Sequence, residues 1–277
     1  MSDPVTYTAV LPIQESTLGF LARLLDVERA RRGTRRGRRA LDCRAHALLV
    51  LRWLLDATRV AQLARDNQIG SATVYRYLHE AIDVLAARAP SLRGALLAAR
   101  AAGYTHVQLD GTLIRTDRVR RPGPTPGCDL WWSGKHHAHG GNIQVLTAPD
   151  GWPLWASPVR PGREHDTAAA RHHPDLLPTL QDWASDGEHT ALADLGYEAE
   201  NDRLRCPIKK RRGHDLTLDQ RTANLLHSAT RALAERGNSL PKTTFKALRR
   251  VSLCPRRIGA ITAAALVVLH HEHDRTT

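Results

Sequence analysis

Apolar positions recur with a helical period over the first hundred residues and then break into short continuous or alternating runs, and that change divides the chain. One short helix is expected around Ser16 to Val27, and a longer one from Leu41 to Ala57, where Leu48, Leu51 and Leu55 mark its apolar side. A second short helix, Val60 to Asp66, is followed by Asn67-Gln68-Ile69-Gly70 and by Ser71, a good N-cap for a third. In that third helix Val74, Tyr77, Leu78, Ala81 and Ile82 share one face, which leaves Thr73, Arg76, His79 and Glu80 outward. Short helix, tight turn and helix make a helix-turn-helix layout, although ordinary bundles use the same pattern. Ala89 to Gly103, rich in small residues, reads as a connecting loop.

Beyond it the pattern is mixed. His106 to Leu109 predicts a strand ending at Asp110, Leu113-Ile114-Arg115 either continue it or turn, and Arg118 to Asp129 is too rich in proline and glycine for regular structure. Asn142 to Ala148 and Pro153 to Val159 read as strands joined by Pro149-Asp150-Gly151. Asp166 is placed to cap a helix running toward His172, and His189 to Ala193 is a short strand ending at Asp194. Thr217-Leu218-Asp219-Gln220 is a capping-box pattern opening a helix whose Leu218, Leu225, Ala229, Leu233 and Leu240 approximate one face. Ile258 to Leu269 is an apolar run too short to span a bilayer and reads as a buried helix.

Strands, a helix, a further strand and a helical remainder are the element order of an α/β fold of the RNase H-like type, a mixed β-sheet flanked by helices. The expected organisation is an N-terminal helix and Arg-rich arm (1–40), a small all-α helix-turn-helix domain (41–98) and the α/β domain (99–277). A length of 277 residues with 42% apolar content supports a real core plus a smaller second unit.

Charge sharpens this division. The net charge of +12 resolves into +7 over residues 1–100, −5 over 101–200 and +10 over 201–277. Basic arms attract phosphate backbone through counterion release, and clustered acids between them are what a metal site needs. Four widely spaced cysteines suggest neither a zinc knuckle nor a disulfide framework and fit a reducing compartment, so a cytoplasmic, nucleoid-associated protein with no membrane role is expected.

Seven arginines fall between Arg29 and Arg39, interrupted by Gly33 and Gly37. The run is either a solvated linker or a phosphate-contacting arm, and Arg35, Arg36, Arg38 and Arg39 are favoured as DNA contacts. In the helix-turn-helix, Ser71, Thr73 and Arg76 lie where a recognition helix meets base edges. Lys209-Lys210-Arg211-Arg212 is either a solvated turn or a further backbone contact, with the contact favoured. Trp131, Trp132, Trp152 and Trp155 suit base stacking or core packing equally, and the histidine-rich stretches suit hydrogen bonding better than a metal. Asp110, Asp194 and Glu235 supply three carboxylates able to converge on divalent metal, with Asp166 and Glu198 as competing third acids.

These residues carry a family likeness. Leu109-Asp110-Gly111-Thr112, Ser133-Gly134-Lys135-His136, Gly162-Arg163-Glu164-His165-Asp166, Leu192-Ala193-Asp194-Leu195-Gly196-Tyr197 and Glu235-Arg236 ahead of Lys242 together resemble the DDE-type transposases of bacterial insertion sequences, particularly the IS-five-like group. The resemblance implies an RNase H-like catalytic domain in which Asp110, Asp194 and Glu235 bind two Mg²⁺ or Mn²⁺ ions. It further implies that Lys135 and Lys242 contact phosphate and that His165 and Asp166 form a supporting pair. The implied partners are double-stranded DNA, as terminal inverted repeats and target, and further copies of the chain in a homodimer or higher oligomer.

The implied activity is metal-dependent cleavage at the element's ends followed by strand transfer. Gly237 and Pro241 lie in the helix that carries Glu235, and an interior proline predicts a kink costing about 3 kcal/mol. The alternative function is therefore a catalytically inactive or repurposed transposase acting as a sequence-specific DNA-binding protein.

Overall fold

The computed structural model describes residues 10–35, 37–200 and 202–276, without the side chains of 234–238. The chain divides into two compact units, with the boundary between Ala81 and Ile82.

The first unit is helical. Helices α1 (Glu15–Arg31), α2 (Cys43–Asp56), α3 (Val60–Asp66) and the start of α4 (Ser71–Ala86) surround Leu21, Leu25, Leu49, Leu54, Leu63, Val74, Tyr77 and Leu78, all buried. Asp42 caps α2 by accepting from the Ala45 N–H at 2.7 Å, and α3 matches the residues its periodicity predicts. One outward assignment fails. Glu80 is only 6% exposed, because its carboxylate holds Arg39 at 3.0 Å and so leaves water as one half of an ion pair.

His46 is fully buried between α1 and α4. Its Nε2 donates to the Tyr77 carbonyl at 2.8 Å, which leaves Nδ1 to accept from Arg29 at 3.2 Å. That pattern requires the neutral ring, and burial pulls the pKa down to about 4, with the Arg29 and Arg39 charges adding to the effect. The unfolded state binds this proton more readily, so the stabilising contribution is complete above pH 6.5 and is lost as pH falls toward 4. The first unit should lose about 3 kcal/mol over that window. Denaturant titrations at pH 7 and pH 4.5 measure the loss, and His46→Gln should flatten it.

The second unit is a mixed sheet with helices. Its strands are β1 (His106–Arg115), β2 (Trp132–Ser133), β3 (Ala138–Thr147), β4 (Pro153–Ala156), β5 (Arg160–Pro161) and β6 (Thr190–Ala193). They form one sheet in the order β2-β3-β1-β6, with β4 and β5 also pairing with β3. β1 runs antiparallel to β3 and parallel to β6. Along the free edge of β6 a single bridge joins Leu192 to Arg205.

The helices are α5 (Leu92–Ala101), α6 (Asp166–Arg171), α7 (Leu176–Trp183), α8 (Leu218–Thr244) and α9 (Ile258–Glu272). Among the described residues none is long and apolar enough to cross a membrane. Three differences from expectation follow from local chemistry. The stretch read as a loop holds α5, capped by the Ser91 hydroxyl on the Gly94 N–H, because its small residues are mostly alanine, the best helix former. β1 continues through Asp110 to Arg115, since the chain pairs with β3 along that whole length. The stripe on α8 is exposed at Leu218, Leu225, Ala229 and Leu233, so this long helix packs mainly through other positions.

Candidate active site

Strand register brings the two aspartates together. Leu109 pairs with Ala193, so Asp194, the next residue after β6, lies beside Asp110. Side chains alternate along β1, which puts Gln108, Asp110 and Thr112 on one face and Leu109, Gly111 and Leu113 on the other. Because parallel partners share a face, Asp194 projects to the same side as Asp110.

Helix α8 covers that side. Gln108 Nε2 donates to the Thr230 carbonyl at 3.0 Å, and Lys242 Nζ donates to Thr112 Oγ1 at 2.6 Å. The turns between Thr230 and Lys242 therefore pass Asp110, and Glu235 belongs to them; its side chain lies outside the described residues. Burial pushes the Lys242 pKa down while Asp110 works to raise it. Pro241 falls in the last turn of α8, where it is buried, and the helix runs on to Thr244.

On the opposite face lies Asp166, the first residue of α6. A side chain at Gly111 would place its Cβ 2.2 Å from Asp166 Oδ1, so glycine beside Asp110 makes room for this carboxylate. Asp166 accepts from Asn142 Nδ2 at 2.7 Å and from Lys135 Nζ at 3.0 Å. The hydrogen bond to Asp166 raises the Lys135 pKa, and Asp194 and Asp110 add to the rise. His165 sits at the N-cap of α6, exposed and without a side-chain capping bond.

The structure thus sets Asp194 beside Asp110 in register, Lys242 near Asp110, and Lys135 against Asp166 within reach of the Asp110 and Asp194 charges. Glu198 is engaged by Lys209 at 2.9 Å. Asn142, Gln144 and Tyr197 are buried polar residues of this region that pattern reading missed. Their signal was two amides at i and i+2 in an otherwise apolar strand.

The basic candidates divide. Arg35 and Arg38 are exposed, Arg39 is committed to Glu80, and Arg36 lies outside the described residues. Ser71 and Arg76 are exposed at the start of α4, with Arg76 donating to Thr73 Oγ1 at 3.0 Å. In the second unit Lys209, Lys210, Arg211 and Arg212 line a cleft of about 870 Å³ with Arg203 and Arg205, along the β6 edge. Lys210 pairs with Asp215 at 2.6 Å, while Arg211 and Arg212 are exposed. Trp131 and Trp152 belong to the core, and Trp132 is partly exposed, edge-on to His139.

The profile of the DDE superfamily endonucleases matches residues 109–271, and the chain belongs to that family. Similar solved structures include the Mos1 mariner paired-end complex with Mn, at 11% identity over 98% of this chain and 82% of that one, with a TM-score of 0.22. The Mos1 transposase paired-end complex with left transposon end has 12% identity, the same coverages and a TM-score of 0.22. Overlap at that level does not define a shared fold. None of the curated proteins matches the sequence.

Among the described residues, no three of His, Cys, Asp and Glu are grouped closely enough to hold a metal ion. Asp110 and Asp194 nevertheless offer hard carboxylate oxygens from adjacent strand positions, a donor chemistry that fits Mg²⁺ or Mn²⁺.

Proposed function

We propose that this DDE-superfamily endonuclease is a transposase of the IS-five-like group that binds the inverted-repeat ends of its element, cuts them and joins them to target DNA. The observation that carries the reading is the β1–β6 register, which sets Asp110 beside Asp194 on the face covered by α8. An antiparallel set β4-β3-β1 followed by β6 parallel to β1 also suits an RNase H-like domain. Asp110, Asp194 and Glu235 are the carboxylates that would hold divalent cations. When bound, such cations activate the attacking water or 3′-hydroxyl and stabilise the leaving oxygen.

The protein's own groups supply position and charge. Lys242, half-buried beside Asp110, holds a phosphate oxygen against the acids, and Lys135, whose charge also feels Asp110 and Asp194, is a second phosphate contact. The first unit acts as a helix-turn-helix, with Ser71, Thr73 and Arg76 at the major groove and Arg35, Arg36 and Arg38 on the backbone. Because two ends must be joined, the active species is at least a dimer.

The test is cleavage of a labelled duplex carrying the repeat ends, with Mg²⁺, with Mn²⁺ and with EDTA. Cutting at the ends that EDTA abolishes is the expected result. Tight binding without cutting in either metal overturns the catalytic reading in favour of a DNA-binding remnant.

The basic cleft gives a separate prediction. Arg211→Ala with Arg212→Ala should weaken binding to all duplexes alike and flatten the log–log salt dependence by about 0.9 per lost phosphate contact. Titrations between low and physiological salt measure the slope.

A further inference from the structure

We propose that Tyr197, Gln144 and Asn142 form a buried positioning relay that locks the turn after Asp194 to Asp166 and Lys135; its functional part rests on the reading of Asp110 and Asp194 as the catalytic pair. The links are continuous. Tyr197 Oη donates to Gln144 Oε1, Gln144 Nε2 donates to Asn142 Oδ1 at 2.9 Å, and Asn142 Nδ2 donates to Asp166 Oδ1 at 2.7 Å. The other Asp166 oxygen accepts from Lys135.

The Asp166 end fixes the polarity of the whole chain. An ionised carboxylate only accepts, so Asn142 must present its amide nitrogen to Asp166 and its oxygen to Gln144. Gln144 is then oriented in turn, and its oxygen requires a donor, which the phenol provides. Tyr197 and Gln144 are fully buried and Asn142 is 5% exposed, so no water competes for these groups. Burial also raises the Tyr197 pKa well above its ordinary value, which keeps the hydroxyl a donor.

The relay closes into a ring. The Tyr197 N–H donates to the Asp194 carbonyl at 3.1 Å, and the Gly196 N–H donates to Asp194 Oδ1 at 2.8 Å. Thr167, next to Asp166 on α6, donates through its hydroxyl to the Gly196 carbonyl. Asp194 itself leaves the sheet into a 3-10 turn, Leu195–Glu200, whose first two residues are exposed. The far end of this turn is tied to α6 by the Arg171–Glu200 ion pair, and Ala193 is held by the Arg205 carbonyl; the ring adds the ties nearest Asp194, through Gly196 and Tyr197.

This makes Tyr197, Gln144 and Asn142 positioning residues that act at a distance on Asp194. The variants are Asn142→Ala, which leaves every bond of the turn itself untouched, and Tyr197→Phe, which keeps the ring and removes only one oxygen. In folded Asn142→Ala, amide hydrogen exchange at Gly196 and Tyr197 should accelerate at least about tenfold, while core amides of β1 stay protected. Cleavage kcat should fall on the order of 10- to 100-fold in either variant, with KM for end DNA within about twofold. The double variant should lose no more than the worse single one, since both break the same ring.

Unchanged exchange at Gly196 and Tyr197 in both folded variants overturns the relay. Loosened exchange with wild-type kcat overturns its functional role. A wild type that never cuts refutes the transposase reading and with it the functional role, while the exchange data still decide whether the relay exists.

Discussion

Asp194→Asn and Asp110→Asn should each lower cutting at the repeat ends by on the order of a thousandfold or more, the scale of deleting a group that acts in the transition state. Affinity for uncut end DNA should stay within about threefold of wild type. Asparagine has the shape of aspartate, and at position 194 it keeps an oxygen to accept the Gly196 N–H, so the turn survives the change. What is lost is the negative charge that holds a divalent cation. Glu235→Gln should behave the same way. Asp166, the competing third acid, lies on the opposite face of the sheet and already accepts from Asn142 and Lys135. Asp166→Asn should therefore lower the rate less than Glu235→Gln. The check is single-turnover cleavage beside binding measured in EDTA, with melting curves to confirm folding. Loss of folding in all three acid variants would remove the assignment, and a dead Asp166→Asn beside an active Glu235→Gln would transfer the third place to Asp166.

The pair Asp110 and Asp194 was legible because each ends or follows an apolar run, and apolar runs of that length are strands whose neighbours can be guessed. The helix boundaries read best at Thr217 with Gln220 opening α8, where both bonds of the capping box are present; Ser71, read as an N-cap, is instead the first residue of α4, behind Gly70. Face assignment was less secure. Glu80 points inward because Arg39, 41 residues earlier in the chain, neutralises it, and no local pattern records such a partner. The relay was illegible for the same reason. Tyr197 meets Gln144 across 53 positions, and a buried amide looks like an ordinary break in an apolar strand until its partner is known. Gly111 was read as part of a motif, but its purpose depends on Asp166, 55 positions further on.

That dependence makes Gly111→Ala the second substitution with a large expected effect. The residue lies in regular β1, paired with Gln144, and its backbone is one that alanine adopts without strain. The new methyl, however, would stand 2.2 Å from Asp166 Oδ1, 2.4 Å from its Cγ and 2.8 Å from its Cβ. Rotating the carboxylate does not relieve the last of these, so α6 must move from the sheet or Asp166 must leave its pocket. Overpacking of this kind costs about 1–3 kcal/mol, and leaving Asn142 Nδ2 without its charged acceptor adds about 1–3 kcal/mol more. Unfolding of the second unit in denaturant should show a loss on the order of 3 kcal/mol. Activity should fall as well, because the displaced carboxylate releases Lys135 and opens the ring that ends at Asp194. Adding Asp166→Ala to Gly111→Ala separates the two effects. Removing the carboxylate should restore part of the stability, since the two smallest side chains fit the space, but it should not restore cutting, since Lys135 loses its acceptor and Asn142 keeps only the Glu164 carbonyl. Recovery of both together would mean that Asp166 only fills space beside Gly111 and positions nothing.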